Sequence, residues 1–254
     1  MSPLLVAEGL VKRFGPVLAV DGVSFSLAPG ERLAIIGPNG AGKSTCFNLI
    51  GGQLRPDRGR VILDGRDVTG WPASRIWRLG VGRTFQIART FHSMTVAENV
   101  QMALLSLHRR TRALLPRANR LWREDALAVL AQVGLLDAAD RPCGELAYGD
   151  VKRAELAIAL ATSPRLLLMD EPTAGMAPAE RHALMELVSE LATGRGIAIL
   201  FTEHDMDVVF RHADRILVMA QGRTLAMGTP SEVREDPEVR AIYLGGGMRR
   251  EMVL

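Results

Sequence analysis

Nine consecutive residues constrain this chain more than any other part of its sequence. They are Gly37, Pro38, Asn39, Gly40, Ala41, Gly42, Lys43, Ser44 and Thr45. The first eight match the pattern G-x-x-x-x-G-K-[ST] of a phosphate-binding loop without a mismatch. The apolar segment 32–36 before them predicts a buried strand, and Phe47, Ile50 and Leu54 follow at helical spacing. A glycine-rich turn without a ligand is the alternative, but a strand before and a helix after are the context that a phosphate loop requires.

Each residue type in this loop has a chemical task. Glycines let successive backbone N–H groups turn toward an anion, where a Cβ would block them. The helix N-terminus adds its partial positive charge. Lys43 is expected to reach the β- and γ-phosphates, and the Ser44 hydroxyl to ligate Mg²⁺. The sequence therefore predicts that the chain binds a nucleoside triphosphate.

Length and composition limit the class of protein. A chain of 254 residues can form one large α/β domain, or a core with a subsidiary lobe. Its two cysteines, Cys46 and Cys143, exclude a disulfide framework and indicate a reducing compartment. Residues 1–9 lack a signal-peptide pattern, and no apolar run approaches the roughly 18 residues of a membrane span. We expect a soluble or peripheral cytoplasmic protein, and a net charge of +3 does not by itself imply nucleic acid.

Antiparallel β structure is predicted before the loop, over residues 4–30. Residues 23–27 alternate apolar and polar side chains, which is typical of a half-buried strand. Phe14 lies between Arg13 and Gly15 in a predicted turn. It could stack on an adenine ring or be an ordinary packed phenylalanine.

A basic segment follows the predicted capping box of Thr95 and Glu98, which opens a helix. No acidic residue occurs between Asn99 and Arg123. The arginines of this segment are Arg109, Arg110, Arg112, Arg117, Arg120 and Arg123. The segment could contact an anionic surface, lipid or nucleic acid, or form a solvated helical face. Pro116 is predicted to divide it into two helices.

A second glycine turn, at residues 146–150, leads into another predicted helix. Its apolar positions are Val151, Ala154, Ile158 and Ala161, whereas Lys152, Arg153 and Glu155 are predicted to face away from the core. Gly149 at the start of this helix indicates either a second phosphate cradle or an ordinary helix start.

Two carboxylates, Asp170 and Glu171, follow the apolar run 165–169, which predicts a strand buried on both faces in a parallel sheet. Adjacent carboxylates at such a strand end are costly unless they have a function. Asp170 is expected to hold Mg²⁺ and Glu171 to polarise an attacking water. The alternative is a strand end that reaches solvent.

His204 follows a second apolar run, 197–201, in the same way. Ligands of open α/β sheets bind at the carboxyl ends of the strands, so the phosphate loop, the carboxylate pair and His204 are predicted to form one hydrolytic site. A structural histidine is the alternative. Further on, a hairpin is predicted over residues 216–227, and Thr229, Pro230 and Glu232 predict a capped helix start.

The order of these motifs resembles that of the ATP-binding subunits of ABC transporters over nearly the whole chain. Gly37 to Ser44 match the Walker A loop and residues 166–170 the Walker B strand. The resemblance further matches Glu171 to the catalytic glutamate, Gln86 to the Q-loop glutamine, His204 to the switch histidine and Phe14 to the A-loop aromatic. Residues 146–150 resemble the LSGGQ signature, with Ala147 in place of serine, and Ala177 stands where the D-loop usually ends in aspartate.

The resemblance implies a fold, a site and cofactors. The implied fold is α/β: a P-loop ATPase core with a mixed sheet, an N-terminal antiparallel β subdomain and a helical subdomain. Residues 1–254 would be one domain, with its helical subdomain at about 84–162 and a helical tail at about 229–254. ATP and Mg²⁺ are the implied cofactors. Lys43 and Gln86 would join Glu171 and His204 in catalysis, Tyr148 and Gly149 would bind nucleotide, and Ser44, Gln86 and Asp170 would hold the metal.

Within the family, the chain is most similar to the branched-chain amino-acid importer group. The similar stretches are residues 146–149, 83–86, 203–209 and 243–245. The implied partners are membrane permease subunits, a second ATP-binding subunit and, indirectly, a periplasmic substrate-binding protein. The chain is then expected to be cytoplasmic and peripheral on the inner face of the cell membrane. Alternatives are a urea or amide importer, or a soluble ABC ATPase that acts on nucleic acid or ribosomes, although no nucleic-acid partner is expected.

Overall fold

The computed structural model describes residues 2–84, 90–108 and 121–245. Its strands are β1 (Leu5–Phe14), β2 (Val17–Leu27), β3 (Arg32–Ile36), β4 (Arg58–Leu63), β5 (Arg66–Asp67), β6 (Val81–Thr84), β7 (Leu166–Asp170), β8 (Ala198–Thr202), β9 (Arg215–Ala220) and β10 (Arg223–Gly228). Its helices are α1 (Lys43–Ile50), α2 (Ala73–Trp77), α3 (Val96–Leu107), α4 (Arg123–Gln132), α5 (Tyr148–Leu160), α6 (Pro178–Arg195), α7 (Met206–His212), α8 (Pro230–Glu235) and α9 (Pro237–Gly245).

Two sheets organise these elements. The first is antiparallel, with strand order β2-β1-β4-β5. The second has the order β10-β9-β3-β8-β7-β6, in which β10 pairs antiparallel with β9 and the other neighbours pair parallel. The predicted α/β class is therefore confirmed, with its mixed sheet and its N-terminal antiparallel sheet.

The mixed sheet separates two hydrophobic cores. Successive side chains of a strand point to opposite faces. In β3, Leu33 and Ile35 accordingly pack with the antiparallel sheet and α1, while Ala34 and Ile36 pack on the other face with the helices that follow. This burial on both faces explains why β3, β7 and β8 are almost continuously apolar. Because these three strands are parallel neighbours, their carboxyl ends meet at one edge of the sheet.

Several local predictions are confirmed. Thr95 and Thr229 each form a capping box, with Glu98 and Glu232 respectively. The predicted hairpin is β9 and β10, which turn at residues 221–222. The helix after the phosphate loop is shorter than the apolar spacing indicated, because it ends at Ile50 before a glycine.

The predicted exposed face of α5 is wrong for two of its three residues. Lys152 and Glu155 are only 3% and 4% exposed, and they form an ion pair at 3.7 Å. The physical reason is tertiary: α5 contacts β6, α3 and α4, so its polar side is covered as well as its apolar side. The paired charges offset part of the cost of burying each one.

Two predicted features fall outside the described residues. These are Gln86 with its neighbours 85–89, and the arginine-rich stretch 109–120 with Pro116. Arg123, the last arginine of the basic segment, begins α4 and forms an ion pair with Asp140 at 2.6 Å.

Candidate functional site

The phosphate-loop sequence forms a tight turn between β3 and α1. Gly40 and Gly42 have φ angles of 80° and 98°, in the left-handed region that favours glycine. A Cβ on Gly42 would clash with the carbonyl oxygen of Ala19, and one on Gly37 would clash with that of Met219. Larger residues are therefore excluded from these positions, and the backbone forms a concave turn at the start of α1.

Lys43 lies inside this turn. Its Nζ donates hydrogen bonds to the carbonyl oxygens of Gly37 (2.7 Å) and Pro38 (3.2 Å). Burial lowers the pKa of Lys43, while the negative charges of Glu171 and Asp170 act in the opposite direction. The loop thus encloses a cation that nearby carboxylates help to keep charged.

A cleft of about 460 Å³ opens over the loop. It is lined by Val17, Leu18, Ala19, Asn39, Gly40, Ala41, Gly42, Lys43, Ser44, Thr45, Glu171, His204 and Gln221. The structure therefore brings the loop, Glu171 and His204 together from three parallel strands. The strand ends predicted that these groups would lie together with Asp170, which is not among the residues that line the cleft.

Glu171 and His204 touch directly across the cleft wall. His204 Nε2 lies 2.7 Å from Glu171 Oε1. The Glu171 side chain is 14% exposed and that of His204 is 49% exposed. Glu171 has a φ of 48°, which is uncommon for a residue other than glycine, and its N–H donates to Thr202 Oγ1 at 3.0 Å. This hydrogen bond helps to hold the strained turn that directs Glu171 toward the histidine.

Asp170 lies beside Glu171 but does not line the cleft. It pairs in register with Thr202 of the neighbouring strand, whose Oγ1 donates to Asp170 Oδ1 at 2.8 Å. On its other side, Arg83 Nη2 lies 3.7 Å from Asp170 Oδ2. Sequence reasoning missed both partners as site residues. Thr202 could have been identified from its place at the carboxyl end of the strand before His204. Arg83 could have been identified because it belongs to the stretch 83–86 that resembles the importer group.

Phe14 lies at the margin of the cleft. Its ring is 46% exposed and is not among the residues that line the cleft. It pairs across β1 and β2 with Val17, which does line the cleft. The Nζ of Lys12 lies 5.7 Å from the centroid of the Phe14 ring.

Tyr148 and Gly149 begin α5 and do not line the cleft. Tyr148 is 47% exposed, and its hydroxyl donates to the carbonyl oxygen of Ala174 at 3.1 Å. Ala147, at the N-cap, provides no side-chain acceptor for the first N–H groups of the helix. The start of α5 thus lacks a side-chain cap, and Gly149 is buried there, where an added Cβ would lie 3.3 Å from Glu180 Oε1.

The residues present are compatible with ATP and Mg²⁺. Gly37 and Gly42 let the loop pass close to the neighbouring backbone, and residues 39–45 line the cleft, as a polyphosphate site requires. Among the described residues, no three His, Cys, Asp or Glu side chains group closely enough to hold a metal ion by themselves. Mg²⁺ in nucleotide sites is typically bound by one or two carboxylates, water and the phosphates themselves, so such a site does not need a group of three of these side chains.

A second cavity, of about 360 Å³, is lined in part by residues of β6 and β7 and is called the apolar groove here. Its apolar side chains are Ala73, Ile76, Trp77, Val81, Ala103, Ile158, Ala159 and Leu168. Gly51, Gln53, Ser74, Arg83 and Ser106 complete its lining. The groove therefore joins α1 and α2 to the helices α3 and α5, and Arg83 belongs both to this groove and to the surroundings of Asp170.

Comparisons of the sequence with known proteins identify relatives of this chain. A model of the ABC transporter family matches residues 20–174, and a model of branched-chain amino acid ATP-binding cassette transporters matches residues 223–248. LivG of Salmonella typhimurium, a high-affinity branched-chain amino acid transport ATP-binding protein, is 44% identical over 252 residues, which cover 96% of this chain and 98% of LivG.

Solved structures of ATP-binding cassettes have the same fold as this chain. The ADP conformation of MJ1267, an ATP-binding cassette of an ABC transporter, is 37% identical with a TM-score of 0.86, covering 96% of this chain and 100% of that one. A dimeric, post-hydrolysis structure of the ATP-binding cassette MJ0796, bound to ADP and Pi, is 27% identical with a TM-score of 0.75 and covers 89% and 98% of the two chains.

Proposed function

The chain belongs to the ATP-binding subunits of the ABC transporter family, and on this premise we propose that it hydrolyses ATP to power the import of branched-chain amino acids through separate membrane permease subunits. One observation carries the proposal of hydrolysis: a single cleft holds the phosphate loop and the Glu171–His204 contact. The substrate class is supported by the match of residues 223–248 and by the relative LivG.

In the proposed mechanism the chain's own residues bind and orient the triphosphate. Backbone N–H groups of residues 39–44 would cradle the phosphates, and the Lys43 ammonium would exchange its carbonyl partners for phosphate oxygens. Ser44 and Asp170, with Gln86, would hold Mg²⁺. When bound, this ion neutralises charge that develops on the phosphates. Phe14 would stack on the adenine at the margin of the cleft.

Glu171 would act on the attacking water in the proposed mechanism. Its carboxylate would accept a hydrogen bond or proton from the water as the water attacks the γ-phosphate in line. His204, at 2.7 Å, holds that carboxylate in place and can exchange a proton with it. Their contact keeps both groups on the same wall of the cleft.

The proposed working form is a dimer, because Tyr148 and Gly149 lie outside the cleft of their own chain. The N-terminus of α5 in one protomer would complete the phosphate site of the other. The structure of MJ0796, a similar ATP-binding cassette, is dimeric, which supports a dimeric form of this chain. The partner would be a second copy of this chain or a sister ATPase.

Residues 1–254 would form one ATPase domain, with a helical subdomain at about 84–162 and a helical tail at about 229–254.

The proposed permease contact is the apolar groove. An amphipathic helix can lay its apolar face into a hydrophobic groove, so the apolar lining suits a helix of the permease. Gln86 would connect the helical subdomain to the metal site.

No helix within the described part of the chain has the length and apolarity needed to span a bilayer. The proposal places the chain on the inner face of the cell membrane because LivG is a transport ATP-binding protein. A periplasmic substrate-binding protein would contribute indirectly, by delivering the amino acid to the permease. No nucleic-acid partner belongs to this proposal.

The test is uptake of radiolabelled leucine, isoleucine and valine by cells from which this chain has been deleted. We expect uptake to be lost, to return with the unaltered chain and not to return with Glu171→Gln. Urea and acetamide uptake, measured in the same cells, are the control. Unchanged leucine uptake would overturn the proposal, and a selective loss of urea or amide uptake would replace its substrate class. Tight, salt-sensitive binding of nucleic acid by the purified chain, without any transport defect, would favour a soluble ATPase.

A further inference from the structure

Glu203 is a buried carboxyl group that the proposed mechanism does not use. It lies between Thr202 and His204 and is only 4% exposed. Burial raises the pKa of Glu203, hydrogen bonds from Thr173 and His204 lower it, and the charge of Glu171 raises it further. No salt bridge to Glu203 is found in the part of the chain that the structure describes. An apolar side chain would avoid the cost of this burial, so the carboxyl group requires an explanation.

Its hydrogen bonds join two loops. Oε1 accepts from the backbone N–H of Thr173 at 2.9 Å and from Thr173 Oγ1 at 2.6 Å. Oε2 accepts from the backbone N–H of His204 at 3.2 Å. Thr173 is itself 1% exposed, so these hydrogen bonds are shielded from water. One side chain thereby connects the loop after β7 with the loop after β8.

These loops carry the two residues that meet in the cleft. Thr173 is two positions after Glu171, and Glu203 immediately precedes His204. An outer connection runs parallel to the inner one. Arg181 donates to Asp205 at 2.7 Å and to the carbonyl oxygen of Met176 at 2.8 Å. The inner connection, between Glu203 and Thr173, is nearer in sequence to Glu171 and His204 than the outer one. It is also more deeply buried than the Arg181–Asp205 pair.

We propose that Glu203 is a positioning residue: its carboxylate ties the His204 backbone to Thr173, which keeps the imidazole within reach of the Glu171 carboxylate during ATP hydrolysis. The inference deepens the proposed function and rests on it. Glu203 does not line the cleft and touches no reacting atom, so it acts through His204.

The first test is Glu203→Gln, which keeps the shape of the side chain. An amide oxygen can still accept from Thr173, but the NH₂ group then faces the His204 N–H as one donor against another. We expect kcat for ATP to fall roughly tenfold to a hundredfold, as for other groups that orient a functional residue, with KM changed less than about twofold. The NMR chemical shifts of the His204 ring should change in the same variant.

Thr173 offers a matched pair that keeps the proposal testable if Glu203→Gln does not fold. Thr173→Val removes the hydroxyl donor and retains the shape, whereas Thr173→Ser retains the hydroxyl. We expect kcat to fall in the valine variant and to remain near the original value in the serine variant. Thermal unfolding of each variant gives the fraction folded.

Three results would overturn the inference. They are an unchanged kcat in folded Glu203→Gln and Thr173→Val, an equal loss in the valine and serine variants, or a loss of kcat that only follows the folded fraction. The proposed function is tested separately, by Glu171→Gln and His204→Ala. If these two retain hydrolysis, the proposed site itself is wrong. If they abolish hydrolysis while Glu203→Gln does not reduce it, only the role of Glu203 is refuted.

Discussion

The cleft and the start of α5 are two polar regions of the chain that differ in how their polar groups are bonded. In the cleft, Lys43 is bonded to loop carbonyls and His204 to Glu171. At the start of α5, Tyr148 is nearly half exposed, and Ala147 leaves the first N–H groups of the helix without a side-chain cap. The polar groups of the first region are bonded within one chain, whereas the second region has an exposed tyrosine and a helix start without a side-chain cap.

The proposed dimer accounts for this difference, because one protomer would then provide only half of a site. The first N–H groups of a helix have no partner inside the helix and favour an anion. The cleft of the same chain cannot supply that anion, because its lining contains no residue of α5. A second protomer can supply it. The comparison therefore predicts that the two regions act in trans.

The largest effect is expected inside the cleft, from Glu171→Gln. The amide keeps the size of the side chain but cannot act as a base, so the turnover of ATP should fall by roughly 100-fold to 10,000-fold. ATP binding should persist, since the phosphate loop is unaltered. Phosphate release and nucleotide binding, measured on the same preparation, check both parts. Undiminished hydrolysis would remove Glu171 from the mechanism.

The trans arrangement can be tested by mixing two inactive variants. Lys43→Ala disables the cleft, and Tyr148→Asp places a carboxylate at the exposed first residue of α5, where it would repel phosphate. Each alone should be nearly inactive. If two copies of this chain pair at random, mixed dimers retain one intact site, and an equal mixture should regain about a quarter of the original ATPase rate.

The control for mixing is a chain that carries both substitutions, added to either single variant. That mixture contains no intact site in any pairing and should stay inactive. No recovery with the separate variants would show that the cleft does not use α5 of a second copy.

A smaller effect is expected at the margin of the cleft, from Phe14→Ala. Loss of one base–aromatic contact should weaken ATP binding by about 1–3 kcal/mol. Phe14→Tyr keeps the aromatic face and is the matched control, so its affinity should stay close to that of the original chain. Equilibrium binding of ATP, measured by calorimetry, separates the two. An alanine variant with unchanged affinity would place the adenine elsewhere.

The smallest effects are expected from removing one hydroxyl group near the cleft and one at the start of α5. Thr202 is 1% exposed, and its hydroxyl bonds both Asp170 and the N–H of Glu171. Thr202→Val should therefore lower the free energy of unfolding by about 1–3 kcal/mol, because it removes two hydrogen bonds of a buried hydroxyl, one of them to a carboxylate. Tyr148→Phe removes an exposed hydroxyl and should cost about 1 kcal/mol or less. Urea unfolding measures both, and equal losses would contradict the contrast between the regions.

The sequence alone determined the features that depend on short-range patterns. The glycine turn follows from residues 37–44, since only glycine tolerates the required backbone angles and close approaches. The central strands β3, β7 and β8 follow from continuous apolar runs, and the helix starts at Thr95 and Thr229 follow from capping boxes. Each of these signals lies within about ten residues of the structure that it predicts.

Only the tertiary structure decided which distant side chains touch. Glu171 and His204 are 33 residues apart and meet because β7 and β8 are parallel neighbours. The same pairing gives Asp170 and Glu171 their partner Thr202, and Thr173 its contact with Glu203.

The error on α5 has the same origin. Helical periodicity identifies the most apolar face of a helix, but it cannot show how many sides neighbouring elements will cover. Lys152 and Glu155 therefore looked like surface residues in the sequence and are buried in the fold. Periodicity is a property of one segment, whereas burial depends on every segment packed around it.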